Sequence, residues 1–112
     1  MLPKNKRLNL SQDFKWVAQG KKIETRFLKL FIRMGENTSP RIGIAVSAKV
    51  FKNATNRNRA KRLVSQAVQA TYHQLPPTIN IVVLPKTGVI EVKSGEVLLD
   101  LEAILRNEKI IA

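Results

Sequence analysis

The stretch that most constrains the fold is a basic run that leads directly into an amphipathic helix. Arg57-Asn58-Arg59-Ala60-Lys61-Arg62 places four cations within six residues. Apolar or small residues then recur at spacings of three and four, which is typical of a helix with one buried face: Ala60, Leu63, Val64, Ala67, Val68 and Thr71. We expect this helix to begin near Asn53, Thr55 or Asn56, all good N-caps, and to end near Tyr72 or His73.

The polar side of this helix has the side chains that bind polyanions. At about 100° per residue, Asn58, Arg62, Ser65, Gln66 and Gln69 lie opposite the apolar stripe, Arg57 and Lys61 lie on one flank, and Arg59 lies on the other. Arginine makes bidentate contacts to phosphate, lysine acts as a point charge, and a helix N-terminus favours anions. Lys49 and Lys52 precede the helix and extend the same basic region.

The charge of the chain is large and one-sided. The net charge is +12, with a pI near 10.7. Residues 1–62 hold sixteen of the twenty cations and three of the eight acids, a balance of +13, whereas residues 63–112 have a balance of −1. This asymmetry favours a nucleic-acid partner, and an anionic membrane surface is the weaker alternative.

A strand predicted over 26–34 carries a second candidate binding surface. Leu28, Leu30, Ile32 and Met34 alternate onto one face, which we expect to be buried. The other face combines aromatic and basic side chains: Phe27, Lys29, Phe31 and Arg33. Such a face suits base stacking and phosphate binding. The alternative is that the two Phe rings pack beneath the first helix, and both hold if the rings line a groove.

The remaining patterns predict a single α+β domain over residues 1–112. Residues 1–10 look extended, a first helix begins at Ser11 as N-cap and stops at Gly20, and Trp16 lies off its apolar face. Residues 35–40 read as a hairpin loop leading to a strand over 41–47, whose flat face (Gly43, Ala45, Ser47) can accept a helix or a nucleic-acid backbone. A third, central strand spans 79–84, and a last helix runs from the N-cap Ser94 to about Asn107.

Residues suited to protein-based catalysis are scarce in this sequence. There is no cysteine, which excludes disulfides and thiolate metal sites and fits a reducing compartment. The single histidine, His73, has no partner at triad or metal-ligand spacing, and the acids are scattered. We therefore expect no catalytic side chain and no protein-bound metal. No apolar segment resembles a signal peptide or a membrane span, so we expect a cytoplasmic protein.

Several motifs together resemble the protein subunit of bacterial ribonuclease P. The Arg57–Arg62 run matches the Arg-Asn-x-x-Lys-Arg signature at the start of that family's long helix. The order Lys6-Arg7-Leu8, Asp13-Phe14 and Gly20 is similar to its N-terminal helix. The segment 41–47, followed by Lys49, is similar to its Arg-hydrophobic-Gly strand.

The resemblance implies a fold, partners and site residues. The fold would be an α/β sandwich with a small mixed sheet, three helices and a left-handed β-α-β crossover, as in the second domain of ribosomal protein S5. The partners would be one large catalytic RNA, bound by a monomeric protein, and precursor tRNA, whose 5′ leader the RNA removes with bound Mg²⁺. The signature helix would bind the catalytic RNA. The leader would lie in a cleft at Phe14 and Phe31, beside Lys29 and Arg33, with Asn58 near its path.

The sequence departs from the family pattern at three places. Ala18 stands where a second aromatic residue is usual, one turn after Phe14. The loop before the long helix lacks the usual glycine and reads Phe51-Lys52-Asn53-Ala54. Later in that helix, Ser65-Gln66 replaces the usual Arg-Glu.

Three hypotheses follow for the function of the chain. The first is the ribonuclease P protein subunit, which assists Mg²⁺-dependent cleavage without contributing a catalytic residue. The second is a ribosomal-type RNA-binding protein that clamps RNA and has no role in cleavage. The third is a self-sufficient nuclease, which the scarcity of clustered acids disfavours.

Overall fold

The computed structural model describes residues 2–3 and 6–111 and contains three helices packed on a four-stranded sheet. The helices are α1 (Leu10–Ala18), α2 (Ala54–Thr71) and α3 (Ser94–Asn107). The strands are β1 (Lys21–Glu24), β2 (Leu28–Met34), β3 (Arg41–Ile44) and β4 (Ile79–Pro85). Short 3-10 turns at Tyr72–Gln74 and Thr87–Glu91 complete the regular structure of the described residues. The predicted α+β class and three helices are confirmed.

The sheet is mixed, with the strand order β1-β2-β4-β3. β2 is antiparallel to both β1 and β4, whereas β3 is parallel to β4. The helix α2 connects β3 to β4, which forms the expected β-α-β crossover. β4 is central and apolar, as predicted. The predicted hairpin over 35–40 is wrong, because β4 inserts between β2 and β3, and the loop spans it instead of joining paired strands.

The strand β1 was missed by the sequence analysis. It lies at the sheet edge, and three of its four residues are exposed, so only Ile23 contributes an apolar signal. Lysines on an edge strand discourage pairing with other chains. An edge strand with exposed side chains shows little alternation of apolar and polar residues. The sequence therefore contains no signal for β1.

The two faces of the sheet build two apolar clusters. The larger cluster lies between the sheet and the helices α2 and α3, and includes Leu28, Leu30, Val64, Ile81 and Leu105. The smaller one lies under α1 and is formed by Leu8, Val17 and Val82, with Phe14, Phe31 and Leu84 packed against it. The sheet therefore separates the main core from a thinner layer that α1 covers.

The flat face of β3 is covered by the N-terminal segment and α1. A Cβ atom added at Gly43 would lie 2.6 Å from Cδ2 of Leu10 and 3.2 Å from Cβ of Leu8. Arg7 forms a parallel bridge with Ile42 just before α1, whereas residues 1, 4 and 5 of the predicted extended stretch lie outside the described residues and Leu10 already begins the helix. The two expected occupants of this face were a helix and a nucleic-acid backbone. The face is covered by α1 together with Leu8.

Two side chains of the predicted strand over 26–34 lie elsewhere than expected. Met34 is 51% exposed, because it ends β2 beyond the edge of the core. Phe27 precedes the observed start of β2 and packs against the larger cluster, so it does not share a face with Phe31. Alternation applies only where the backbone is a regular strand.

Helix starts were predicted within two residues, although two caps differ. Asn53 caps α2 as expected, and its side chain accepts a hydrogen bond from the backbone N–H of Thr55 at 2.7 Å. α1 has Asn9 as its N-cap, and α3 has Lys93, so Ser11 and Ser94 lie inside their helices. In the described ranges, no helix is long and apolar enough to cross a membrane.

Gly20 lies in the turn between α1 and β1, where the close approach of the chain to β2 requires glycine. A Cβ atom there would clash with the carbonyl oxygen of Ile32 and lie 2.8 Å from Cβ of Arg33. We expect Gly20→Ala to destabilise the fold by about 1–3 kcal/mol through overpacking. Gly95→Ala, where a Cβ would contact nothing within 4 Å, is the matched control. Its helical position predicts a neutral or slightly stabilising effect. Urea unfolding measures both, and equal midpoints would contradict the packing argument.

Candidate nucleic-acid interface

The basic run lies in the N-terminal half of α2. Its cations differ in whether they bind other segments of the protein. The guanidinium of Arg57 donates from Nη1 to the backbone oxygens of Phe51 (2.8 Å) and Lys52 (3.3 Å). Nε of Arg59 donates to the backbone oxygen of Ile90 at 3.0 Å. These two arginines therefore help to hold neighbouring segments, although each retains donors for a phosphate.

The other signature side chains are exposed and open. Asn58, Lys61 and Arg62 make no side-chain hydrogen bond or ion pair within the part of the chain that the structure describes. Together with Ser65, Gln66 and Gln69, they line a shallow groove along α2. Lys49 and Lys52 are exposed in the preceding loop. Among the signature cations of α2, Lys61 and Arg62 are the two that bind no other described residue.

The groove contains one correction to the predicted helix faces. Ser65 was placed opposite the apolar stripe, but it is only 6% exposed. Its hydroxyl oxygen accepts a hydrogen bond from Nε2 of Gln69 at 3.2 Å. The small side chain lies in the wall between this groove and a second cavity of about 170 Å³ between Arg7, Ile42 and Lys61.

The loop before α2 is anchored from both sides. Phe51 is buried in the larger cluster, and its backbone N–H donates to the oxygen of Ser47 at 2.9 Å. Arg57 binds the carbonyl oxygens of Phe51 and Lys52 from the helix. These contacts hold the loop in place although it lacks the glycine usual in the resembling family.

We expect Arg57→Lys to lower the free energy of unfolding by about 1–2 kcal/mol while the net charge stays the same. A lysine keeps the cation but cannot present a planar guanidinium to two neighbouring carbonyls. Thermal unfolding of the variant measures this loss. The matched control is Arg62→Lys, whose side chain has no such contacts, and an equal loss in both variants would contradict the clamp.

The aromatic cleft lies between α1 and the sheet. The rings of Phe14 and Phe31 meet edge to face, with centroids 6.1 Å apart and an interplanar angle of 69°. Nζ of Lys29 lies 5.5 Å from the centroid of the Phe31 ring. Both rings are half-buried, and both pack against the smaller cluster. Of the two rings that the sequence placed on one strand face, Phe31 packs beneath α1 with Phe14 and stays partly exposed, whereas Phe27 packs against the larger cluster.

The sheet register adds a cation that the sequence analysis missed. Lys22 of β1 pairs with Phe31 of β2, and directly paired residues point to the same face. Lys22 is exposed beside the aromatic cleft. Because β1 has almost no apolar pattern, the only sequence signal for Lys22 as a binding residue is the Lys21-Lys22 pair.

Arg33 does not point into the aromatic cleft. Its guanidinium lies 4.5 Å from the ring centroid of Trp16. Nη1 donates to the backbone oxygen of Trp16 (2.9 Å) and to Oε1 of Gln19 (3.0 Å). Arg33 therefore binds the C-terminal end of α1 and positions that helix. Trp16 lies against Arg33, away from Phe14 and Phe31.

Comparison with known proteins gives one consistent family. A model of the ribonuclease P family matches residues 2–109. The ribonuclease P protein component of Pseudanabaena is 37% identical over 99% of this chain and 97% of its own length. The Thermotoga maritima ribonuclease P protein has a TM-score of 0.78 at 29% identity, covering 90% of this chain and 96% of its own.

A Staphylococcus aureus ribonuclease P protein mutant has a TM-score of 0.84 at 22% identity, covering 96% of this chain and 92% of its own, so it supports the fold. The family model and the Pseudanabaena relative each span nearly the whole chain. The signature run at the start of α2 and the sheet order that places an aromatic cleft beneath α1 agree with that match. The chain therefore belongs to the ribonuclease P protein family.

Proposed function

We propose that this chain binds two RNAs through two surfaces, the catalytic RNA of ribonuclease P on α2 and the leader of precursor tRNA in the aromatic cleft. Its family makes it a subunit of ribonuclease P, the ribonucleoprotein endonuclease of tRNA 5′ processing. The two-surface division is supported by geometry, because α1 and α2 lie on opposite faces of the sheet. The whole chain acts as one RNA-binding domain, one copy per RNA, in the cytoplasm.

The observation that carries the proposal is the group of open polar and basic side chains on α2. Asn58, Lys61 and Arg62 share an exposed groove and have no partner within the described part of the chain. Exposed, uncompensated cations repel one another, so they are retained where a polyanion neutralises them. Arg57 and Arg59 add donors at the same helix end, and Lys49 and Lys52 extend the surface over the preceding loop.

The aromatic cleft suits a single strand. Phe14 and Phe31 present ring surface, while Lys29 and Lys22 flank it with positive charge. Stacking of a base on such a ring tolerates any sequence, because each base has a π-face. We assign the leader to this cleft because a leader of variable sequence needs that kind of binding.

We assign the catalytic chemistry to the RNA. Among the described residues, no three His, Cys, Asp or Glu side chains form a group that could hold a metal ion. The described residues therefore offer no acidic cluster for Mg²⁺, and we assign the ion mainly to the RNA and the substrate. The chain contributes electrostatic screening and substrate positioning.

Reconstitution tests the proposal. The protein is added to a bacterial ribonuclease P RNA at low Mg²⁺ with leader-bearing precursor tRNA, and cleavage is followed with time. We expect faster cleavage at the mature 5′ end. RNA binding without faster cleavage would indicate a structural clamp, and cleavage without the RNA would indicate a protein nuclease.

A further inference from the structure

A second, polar pocket lies on the other flank of α1 from the Phe14–Phe31 cleft. It has an open volume of about 560 Å³ between α1 and the segment from Gly35 to Arg41. Its polar and aromatic lining is Asp13, Trp16, Glu36, Asn37, Arg41 and Asn80. None of these side chains belongs to the signature helix or to the aromatic cleft, the two surfaces proposed above to bind RNA.

Asn80 is the buried polar group of this pocket. It lies on the central strand β4 and is only 5% exposed. Its Nδ2 donates to Oδ1 of Asn37 at 2.8 Å and to the backbone oxygen of Arg33 at 3.3 Å. These contacts orient the amide, and its Oδ1 accepts no hydrogen bond from any described residue. Because no fully buried side-chain nitrogen or oxygen among the described residues lacks a hydrogen-bond partner, this oxygen is accessible from the pocket, where a ligand donor can bind it.

The walls of the pocket are tightly packed around Gly35. A Cβ atom at this position would lie 2.8 Å from Nδ2 of Asn80 and 2.9 Å from Cη2 of Trp16. The Trp16 ring is held by the Arg33 guanidinium, 4.5 Å from its centroid, and remains 38% exposed. The floor is therefore built on the central strand β4 and on an aromatic ring that the Arg33 guanidinium contacts.

The remaining lining groups are one cation and two carboxylates without partners. Within residues 2–3 and 6–111, Asp13, Glu36 and Arg41 form no ion pair with one another or with other side chains. In the sheet register Arg41 is paired with Asn80, which places the guanidinium on the pocket side of the sheet. The pocket therefore offers several acceptors beside one bidentate donor.

We propose that this pocket binds an unpaired guanine base. Guanine has two adjacent donors, N1–H and the N2 amino group, which match a carboxylate such as that of Asp13 and the Oδ1 of Asn80. It also has two adjacent acceptors, O6 and N7, which match the fork of an arginine such as Arg41. Adenine, cytosine and uracil lack this combination of a two-donor edge and a two-acceptor edge.

Trp16 permits a direct measurement, because it is the single tryptophan of the chain. We would titrate the protein with the 5′-monophosphates of guanosine, inosine, adenosine and cytidine and follow the tryptophan fluorescence. These ligands carry the same phosphate, so non-specific attraction to the basic protein is the same for all of them. We expect guanosine monophosphate to bind about tenfold more tightly than the inosine form, which lacks only the N2 amino group. Equal affinities for all four would overturn the proposal.

Substitutions place the base in the pocket. Asp13→Asn should lower the affinity for the guanosine nucleotide about fivefold or more. The affinity for the adenosine nucleotide should stay unchanged or rise slightly, because a negative charge is removed. Arg41→Gln should also reduce the preference for guanine. Glu96→Gln on α3 is the control carboxylate and should change nothing. If the preference survives both pocket variants but disappears in Phe31→Ala, the base binds in the aromatic cleft and the proposal is wrong.

The guanine can belong to an RNA strand or to a free nucleotide, and a second titration separates these sources. The probes are a uridine hexamer, the same strand with one guanosine, and the same strand with one inosine. A guanosine preference within the strand identifies RNA as the source. A preference restricted to the mononucleotide identifies a free guanine nucleotide. Absence of the preference from both probe types overturns the site without affecting the leader cleft, which Phe31→Ala tests separately.

Discussion

Phe31→Ala will weaken the binding of precursor tRNA by about 1–3 kcal/mol and leave the binding of mature tRNA nearly unchanged, if a leader base stacks on this ring. The ring meets Phe14 edge to face at 6.1 Å and lies beside Lys29, so one half-buried surface remains for a base. Affinity measured for both tRNAs with the reconstituted ribonucleoprotein gives the difference. The expected loss corresponds to a factor of about 5 to 150.

Phe27→Ala is the matched control for this prediction. Phe27 adjoins the same strand but packs against the larger cluster, away from α1. Removal of this ring should lower the thermal stability and should not distinguish the two tRNAs. Equal losses for both tRNAs in Phe31→Ala would mean that the ring acts only as support for α1.

The combined change Lys61→Ala and Arg62→Ala will lower the affinity for the catalytic RNA. It will also reduce the dependence of that affinity on salt concentration. Each lost phosphate contact should reduce the slope of log affinity against log salt concentration by about 0.9 for a duplex region. The slope should therefore fall by nearly two if both side chains contact phosphate. Binding measured over a series of salt concentrations gives this number.

The control for this pair removes two cations from the other end of the chain. Lys93→Ala and Lys109→Asn change the net charge by the same amount, and Asn tolerates the positive φ of 57° at residue 109. The salt slope should stay unchanged in the control. A slope that falls equally in both double variants would show that only net charge matters and that α2 makes no specific contact.

The structure also changes the expected roles of Arg57 and Arg59. From sequence they were candidate phosphate ligands beside Lys61 and Arg62. In the structure both guanidinium groups bind backbone oxygens of neighbouring segments. Substitution of either arginine therefore affects the local fold as well as the charge, which is why Lys61 and Arg62 give the cleaner test.

Much of the local structure followed from the sequence. The apolar periodicity from Ala60 to Thr71 predicted α2, and Asn53 was among its expected caps. The alternation of Leu28, Leu30 and Ile32 predicted the buried face of β2. The edge strand β1 escaped notice, because an exposed strand needs only one apolar residue. Because β1 was not predicted, Lys22 was not among the candidate binding residues.

The sequence by itself determined the helices, the buried strand faces and the basic character of the first sixty-two residues, because these depend on patterns between near neighbours. The signature of Arg57–Arg62, together with the motifs in residues 6–20 and 41–49, also indicated the family. Only the tertiary structure decided that β4 lies between β2 and β3, that Arg33 binds α1, and that Asn80 faces Asn37. Strand order and side-chain partners depend on contacts between residues far apart in the chain, and local periodicity carries no information about which distant segments meet.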